Sequence, residues 1–186
     1  MKKIILAILL LSFSATFVFS QDYAVDKGGF ILSGTGSFIS QGGDLYEDWE
    51  DNRLSTFSLT SAVNYFIVRN VFIGAGLAYT RVSQGDDSMS TIGIGPTMGY
   101  ALGKAESKSY PYIATSIHFY SIGFDGETTS GTNIFIGAGM IFSIKKHLGL
   151  ILEIGYNFQN LKHEDWDESM SGNAFSVSIG IAGLIF

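Results

Sequence analysis

Leu148-Gly149-Leu150-Ile151-Leu152-Glu153-Ile154-Gly155-Tyr156-Asn157-Phe158-Gln159 alternates with period two. The even-numbered residues are large and apolar, and the odd-numbered ones are mostly small or polar. Successive side chains of a strand point to opposite faces, so this stretch has one apolar face and one small or polar face. Ile92, Ile94, Pro96, Met98, Tyr100 and Leu102 oppose Thr91, Gly93, Gly95, Thr97, Gly99 and Ala101 in the same way. So do Val71, Ile73, Ala75, Leu77 and Tyr79 against Phe72, Gly74, Gly76, Ala78 and Thr80. Ile134, Ile136, Ala138, Met140 and Phe142 likewise oppose Asn133, Phe135, Gly137, Gly139 and Ser143.

Eight such segments are read, over 28–40, 55–68, 70–83, 89–102, 110–122, 132–144, 147–159 and 173–186. Each has the length of about ten residues that a tilted strand needs to cross a bilayer, more than the roughly five or six usual in soluble sheets. Pro96 removes a ladder donor and is expected at a bulge. The connections Gln41–Leu54, Gly85–Ser88, Asp125–Gly131 and Asn160–Gly172 are polar and mostly longer than Val68-Arg69-Asn70, Gly103–Ser109 and Lys145-Lys146. Thirteen of the 17 acids fall in the first set: Asp44, Glu47, Asp48, Glu50, Asp51, Asp86, Asp87, Asp125, Glu127, Glu164, Asp165, Asp167 and Glu168. The second set holds Arg69, Lys104, Lys108, Lys145 and Lys146 against Glu106 alone. Charge therefore separates the two ends of an up-and-down sheet independently of hydropathy.

The chain has 186 residues, 46% hydrophobic and 15% charged, with 23 Gly and no Cys. That length suits one domain. Absent cysteine excludes a disulfide scaffold, a thiolate metal site, a cysteine nucleophile and a lipid-anchored cysteine. The net charge of −6 argues against nucleic acid. Lys2 and Lys3 precede an uncharged run from Ile4 to Phe19, ending Val18-Phe19-Ser20. This reads as a secretory signal peptide over 1–20, with the mature domain at 21–186.

A strand in hydrocarbon must pair on both edges, and closing the sheet achieves that. The fold expected is all-β, an eight-stranded antiparallel up-and-down transmembrane β-barrel. Tyr65, Tyr100, Tyr112 and Phe142 are placed in one outward aromatic belt, and Tyr79, Phe119, Tyr156 and Phe158 in the other. Gly, Ser, Thr and Asn, punctuated by Phe66, Phe72 and Phe135, face a lumen narrow enough to be filled by its own side chains. The alternative is a soluble lipocalin-like carrier with the faces reversed.

The segments "GGFILSGTGSFIS", "NVFIGAGLAYTR", "TIGIGPTMGYAL", "YPYIATSIHFY", "HLGLILEIGYNFQ" and "FSVSIGIAGLIF" resemble the small eight-stranded outer-membrane barrels of the OmpX and OmpA-barrel kind, common in Gram-negative bacteria. The resemblance covers the mature chain. It implies an outer-membrane location with periplasmic termini, and assembly machinery that reads the terminal aromatic, here Phe186. Phe175, Val177, Ile179, Ile181 and Ile185 share a face from which Phe186 departs.

The candidate sites are few. Tyr46-Glu47-Asp48-Trp49-Glu50-Asp51 and His163-Glu164-Asp165-Trp166-Asp167-Glu168 are similar, and emerge side by side if the first and last strands adjoin. Their carboxylates suit divalent cations, and Trp49 and Trp166 suit a protein or glycan partner. The plainer reading is two solvated acidic loops with Trp at the lipid interface, since no loop has EF-hand spacing. Glu153 and His118 are placed inside, in a luminal polar network with Asn157 or Tyr120. With His147 at a turn and His163 in a loop, no zinc set and no Ser/His/acid constellation is read. The expectation is a monomeric, non-enzymatic structural or surface-interaction protein without cofactors, contacting outer-membrane lipid. A narrow porin-like channel and a lipid-modifying enzyme are the alternatives.

Overall fold

A computed structural model describes residues 24–41, 52–104, 107–124, 127–163 and 170–186. The signal-peptide reading lies outside the described residues. Eight antiparallel strands close into one barrel in chain order: β1 Phe30–Gln41, β2 Leu54–Val68, β3 Val71–Gln84, β4 Asp87–Ala101, β5 Ser109–Phe124, β6 Glu127–Lys145, β7 Leu148–His163 and β8 Met170–Ile185. The ladder is sequential, and β1 pairs with β8 to complete the ring.

Most of the large aliphatic side chains look outward. Ile92, Ile113 and Ile181 are 63%, 62% and 62% exposed, whereas Phe66 on the other face is 0% exposed. This is the arrangement of a transmembrane barrel, in which lipid replaces a protein core around the wall. Tyr65 beside Phe30, with Tyr100 and Phe142, marks the turn end of the belt. Phe119, Tyr156 and Phe158 mark the loop end, where the Tyr156 hydroxyl donates to Asn173 at 2.6 Å. Aromatic rings with one polar edge suit such boundaries between hydrocarbon and water.

Four expectations change. Tyr112 belongs inside rather than in the outer belt, because it shares the parity of Ser116 and His118 and donates to Glu153 at 2.7 Å. Pro96 makes no bulge. Gly76 pairs with Gly95 and Ala75 with Pro96 on one side, while the β4–β5 ladder skips from Ile94–Phe119 to Thr97–Ser116 without changing register. Proline has no N–H to give β5, so the cost is a gap and not an extra residue. Gly95 beside it allows β5 to come close, since a side chain there would collide with the Ile117 carbonyl.

The connections are also less uneven than expected. Gln84 pairs with Asp87 and Phe124 with Glu127, so the third and fifth connections are tight hairpins. β7 runs on to His163, which therefore ends a strand. The bulges lie instead beside turns at the opposite end, between Phe66 and Val68 and between Ser143 and Lys145. Asn70, at φ 70°, takes the left-handed position of a turn that closes on the Phe66–Val68 bulge.

The fourth change concerns the lumen, which is filled at one end only. Ala24 and Val25 tuck under Ile31, Phe66, Phe72, Tyr110, Ile141, Ile151 and Leu184 in one apolar cluster. Backbone bonds fasten this segment: Gly28 donates to Phe66 at 2.8 Å, Phe66 to Gly29 at 2.9 Å, and Asn70 to Val25 at 2.9 Å. Phe186 follows the last residue of β8 and packs against the same cluster, 5.2 Å from the His147 ring and beneath the Lys146 ammonium at 5.5 Å. That position accounts for its departure from the outward face of β8.

Candidate functional site

Above the plug the barrel encloses a cavity of about 260 Å³. Its floor is apolar, formed by Ile31, Phe72, Ile141 and Ile151 with Tyr112. Its walls are mainly Ser, Thr, Ala and Asn. Inward aromatics stand over inward glycines: Phe135 over Gly137 and Gly155, Tyr112 over Gly139, Tyr120 over Gly93, and Phe72 over Gly99. A Cβ at any of those glycines would overlap the facing ring, so the glycines are the sockets that let large rings share a narrow tube.

Three hydrogen-bonded groups organise the walls. Glu153, on β7 opposite Gly139 and Ser178, accepts from the Tyr112 hydroxyl at 2.7 Å and from Ser178 at 3.4 Å. A carboxylate held away from bulk water requires such donors. Asn157 accepts from Asn133 Nδ2 at 2.9 Å and donates to Ser176 Oγ at 3.1 Å. On the far wall the Thr97 hydroxyl donates to Asn64 Oδ1.

Glu153, His118 and Asn157 thus all face the lumen, but in separate groups. Glu153 is bound by Tyr112 and Ser178, neither of which the sequence reading had joined to it. Asn157 belongs with Asn133. His118 is 4% exposed, its Nδ1 lying 3.4 Å from Ser116 Oγ and its Nε2 reaching over Gly76. A nucleophilic Ser/His pair needs a third, acidic group to orient the imidazole, and among the described residues Ser116 is the hydrogen-bond partner recorded for His118. His118 Nε2 and Asn133 Oδ1 have no hydrogen-bond partner among the described residues. His147 Nδ1 lies 2.8 Å from the Leu184 carbonyl, where it braces the chain's end.

Glu47, Asp48, Trp49, Glu50, Asp51, Glu164, Asp165, Trp166, Asp167 and Glu168 lie outside the described residues. Their flanking strands fix where the two segments depart. β1 and β8 adjoin, so the connection after Gln41 and the connection ahead of Met170 leave from neighbouring strands. Among the described residues no group of three His, Asp or Glu side chains is placed to hold a metal ion. That Asn133, Tyr112 and Ser178 partner the luminal residues has no cue in the sequence, because each pairing crosses between strands. The periodicity does carry one clue, the shared parity of Tyr112 and His118.

No family model matches the chain, and no characterised protein matches it in sequence. Among solved structures it is similar to Neisserial surface protein A, at 15% identity and a TM-score of 0.56, over 86% of this chain and 98% of that one. A de novo designed transmembrane β-barrel aligns over 86% of this chain and 98% of its own, at 16% identity and a TM-score of 0.45. The translocator domain of the autotransporter NalP from Neisseria meningitidis aligns over 97% of this chain and 67% of its own, at 12% identity and a TM-score of 0.40.

Proposed function

We propose that this chain is a small monomeric outer-membrane barrel that serves as a structural or surface-interaction protein, without catalysis. The observation that carries this reading is the outward belt of aliphatic and aromatic side chains around a sheet that has no apolar cover among the described residues. In water that belt would drive aggregation; in a bilayer it is the anchoring surface. The turn end carries Arg69, Lys104, Lys108, Lys145 and Lys146, and the acids concentrate in the opposite connections. The acidic stretches around Trp49 and Trp166 are then the presented surface, open to a divalent cation or a protein or glycan partner. On this reading the termini are periplasmic, and the strand ending at Phe186 is what the assembly machinery engages.

The apolar plug supports a closed lumen over a channel. Conductance steps in a planar bilayer would favour the channel instead. The direct test of the membrane reading is a pair of substitutions. Ile154→Arg on the outward face should cost about 2–4 kcal/mol of folding free energy in vesicles. Ser176→Ala, inside, should cost about 1 kcal/mol. Unfolding in urea, followed by the heat-dependent shift of the folded band on gels, measures both. Equal small losses would remove lipid from the outer face. For the acidic segments, Ca²⁺ titration of Trp fluorescence should give a saturable response that disappears in Trp49→Phe/Trp166→Phe.

A further inference from the structure

The wall is not closed over its full height. The β1–β8 ladder runs from Phe30–Ile185 to Gly36–Ile179 and ends there, although β1 continues to Gln41 and β8 begins at Met170. Next to that end the two strands pack closely, since a Cβ at Gly180 would collide with the Gly34 carbonyl. Beyond it, among the described residues, Ser37 and Phe38 pair only with β2, and Ala174, Ser176 and Ser178 pair only with β7. Gly36 and Ser37 from one edge and Ala174, Phe175, Ser176 and Ser178 from the other line the luminal cavity together. Phe175 faces outward in register and is 60% exposed, yet it also borders the cavity. The lumen therefore communicates with the lipid-facing surface through this seam.

Hydrocarbon cannot satisfy two backbone edges that lack a ladder partner among the described residues, and each unmet N–H or C=O at membrane depth is costly. A polar group seated in the seam can. The lining restricts its chemistry. Among the described residues it contains no Lys or Arg, and the one carboxylate among them, Glu153, already takes two donors. An anionic head would meet that carboxylate without a counter-charge. A hydroxyl both donates and accepts, which matches N–H and C=O edges, the Ser and Thr walls, and the unpartnered Asn133 Oδ1. At about 260 Å³ the cavity falls below the roughly 300–1,000 Å³ of drug-sized sites. It has room for a compact head and none for a chain. Outside, Phe38, Phe175 and Val177 offer an exposed apolar path for that chain.

We propose that the open β1–β8 seam binds a membrane amphiphile with an uncharged, hydroxyl-rich head, seated in the lumen between Ser37, Ser176 and Ser178, with its apolar chain against Phe175 and Val177. The test uses the full barrel in phosphatidylcholine nanodiscs and radiolabelled dodecyl maltoside below its micellar concentration. Saturable binding of one molecule per barrel is expected above the linear partition into lipid. Dodecyl phosphate should compete at least tenfold less well, and free maltose should not compete. Because the chain has no cysteine, Ser37→Cys/Ser178→Cys offers a unique disulfide that zips the seam. Oxidation should reduce saturable binding at least tenfold, and reduction should restore it. Should the two thiols fail to join, Ser178→Trp, which fills the same opening, takes their place with the same expected loss, and the folded band on gels confirms that either variant has assembled. The proposal is overturned by absence of saturable binding, by binding unchanged with the seam closed, by full competition from maltose, which would mark a soluble-sugar site, or by equal competition from dodecyl phosphate.

Discussion

The two halves of the lumen share one wall pattern and differ in what points into it. Toward the turns, Ile31, Phe66, Phe72, Tyr110, Ile141, Ile151 and Leu184 close on each other and on Ala24 and Val25. Toward the loops, the same strands point Ser, Thr, Asn and Gly inward and leave a cavity. Strand alternation fixes only which residues face in. Whether the tube is solid depends on summed side-chain volume and on a segment from outside the sheet. The lower half is thus a conventional protein core in a barrel whose other apolar surface faces lipid. The upper half is a hydrogen-bonded cup.

The contrast predicts unequal responses to mutation. The largest is expected at the plug. Phe66→Ala removes a ring with no exposure and should cost about 3–5 kcal/mol, read as a lower urea midpoint. A loss under about 1 kcal/mol would mean that the plug can collapse around the void. In the cup, Tyr112→Phe takes one of two donors from Glu153 and should cost about 1–3 kcal/mol. Adding Glu153→Leu to that variant should recover part of the loss, because the unmet carboxylate goes with it. No recovery would show that Glu153 is satisfied by water instead. The smallest effect belongs to the wall itself. Pro96→Ala supplies an N–H opposite Ile117 and should stabilise by up to about 1 kcal/mol, with the new amide protected in hydrogen exchange. An unprotected amide there would mean that the gap between β4 and β5 is held open by more than proline.

Much of this contrast can be read from the chain, and the unread part has identifiable causes. The outward positions of Ile92, Ile94, Leu152 and Ile154 followed from parity alone, as did the inward positions of Phe66, Phe72 and Phe135. Tyr112 was misassigned because its ring suggested an interface, although its spacing from His118 put it inside. The hairpins at Gly85-Asp86 and near Phe124 look like longer loops in the sequence, since polar residues beyond the membrane keep the ladder without keeping the hydropathy pattern. The roles of Ala24 and Val25 had no local signal. Two small apolar residues ahead of a strand become a plug only when a barrel floor lies above them.

The strand count, the faces and the separation of charge are legible along the chain, because each follows from a side chain's own chemistry repeated at period two. The hold of Tyr112 and Ser178 on Glu153, a lumen solid below and hollow above, and the end of the β1–β8 ladder at Gly36 and Ile179 arise in the folded barrel. Those outcomes depend on distances between strands remote in the chain. No periodicity within one strand encodes what the opposite wall will present.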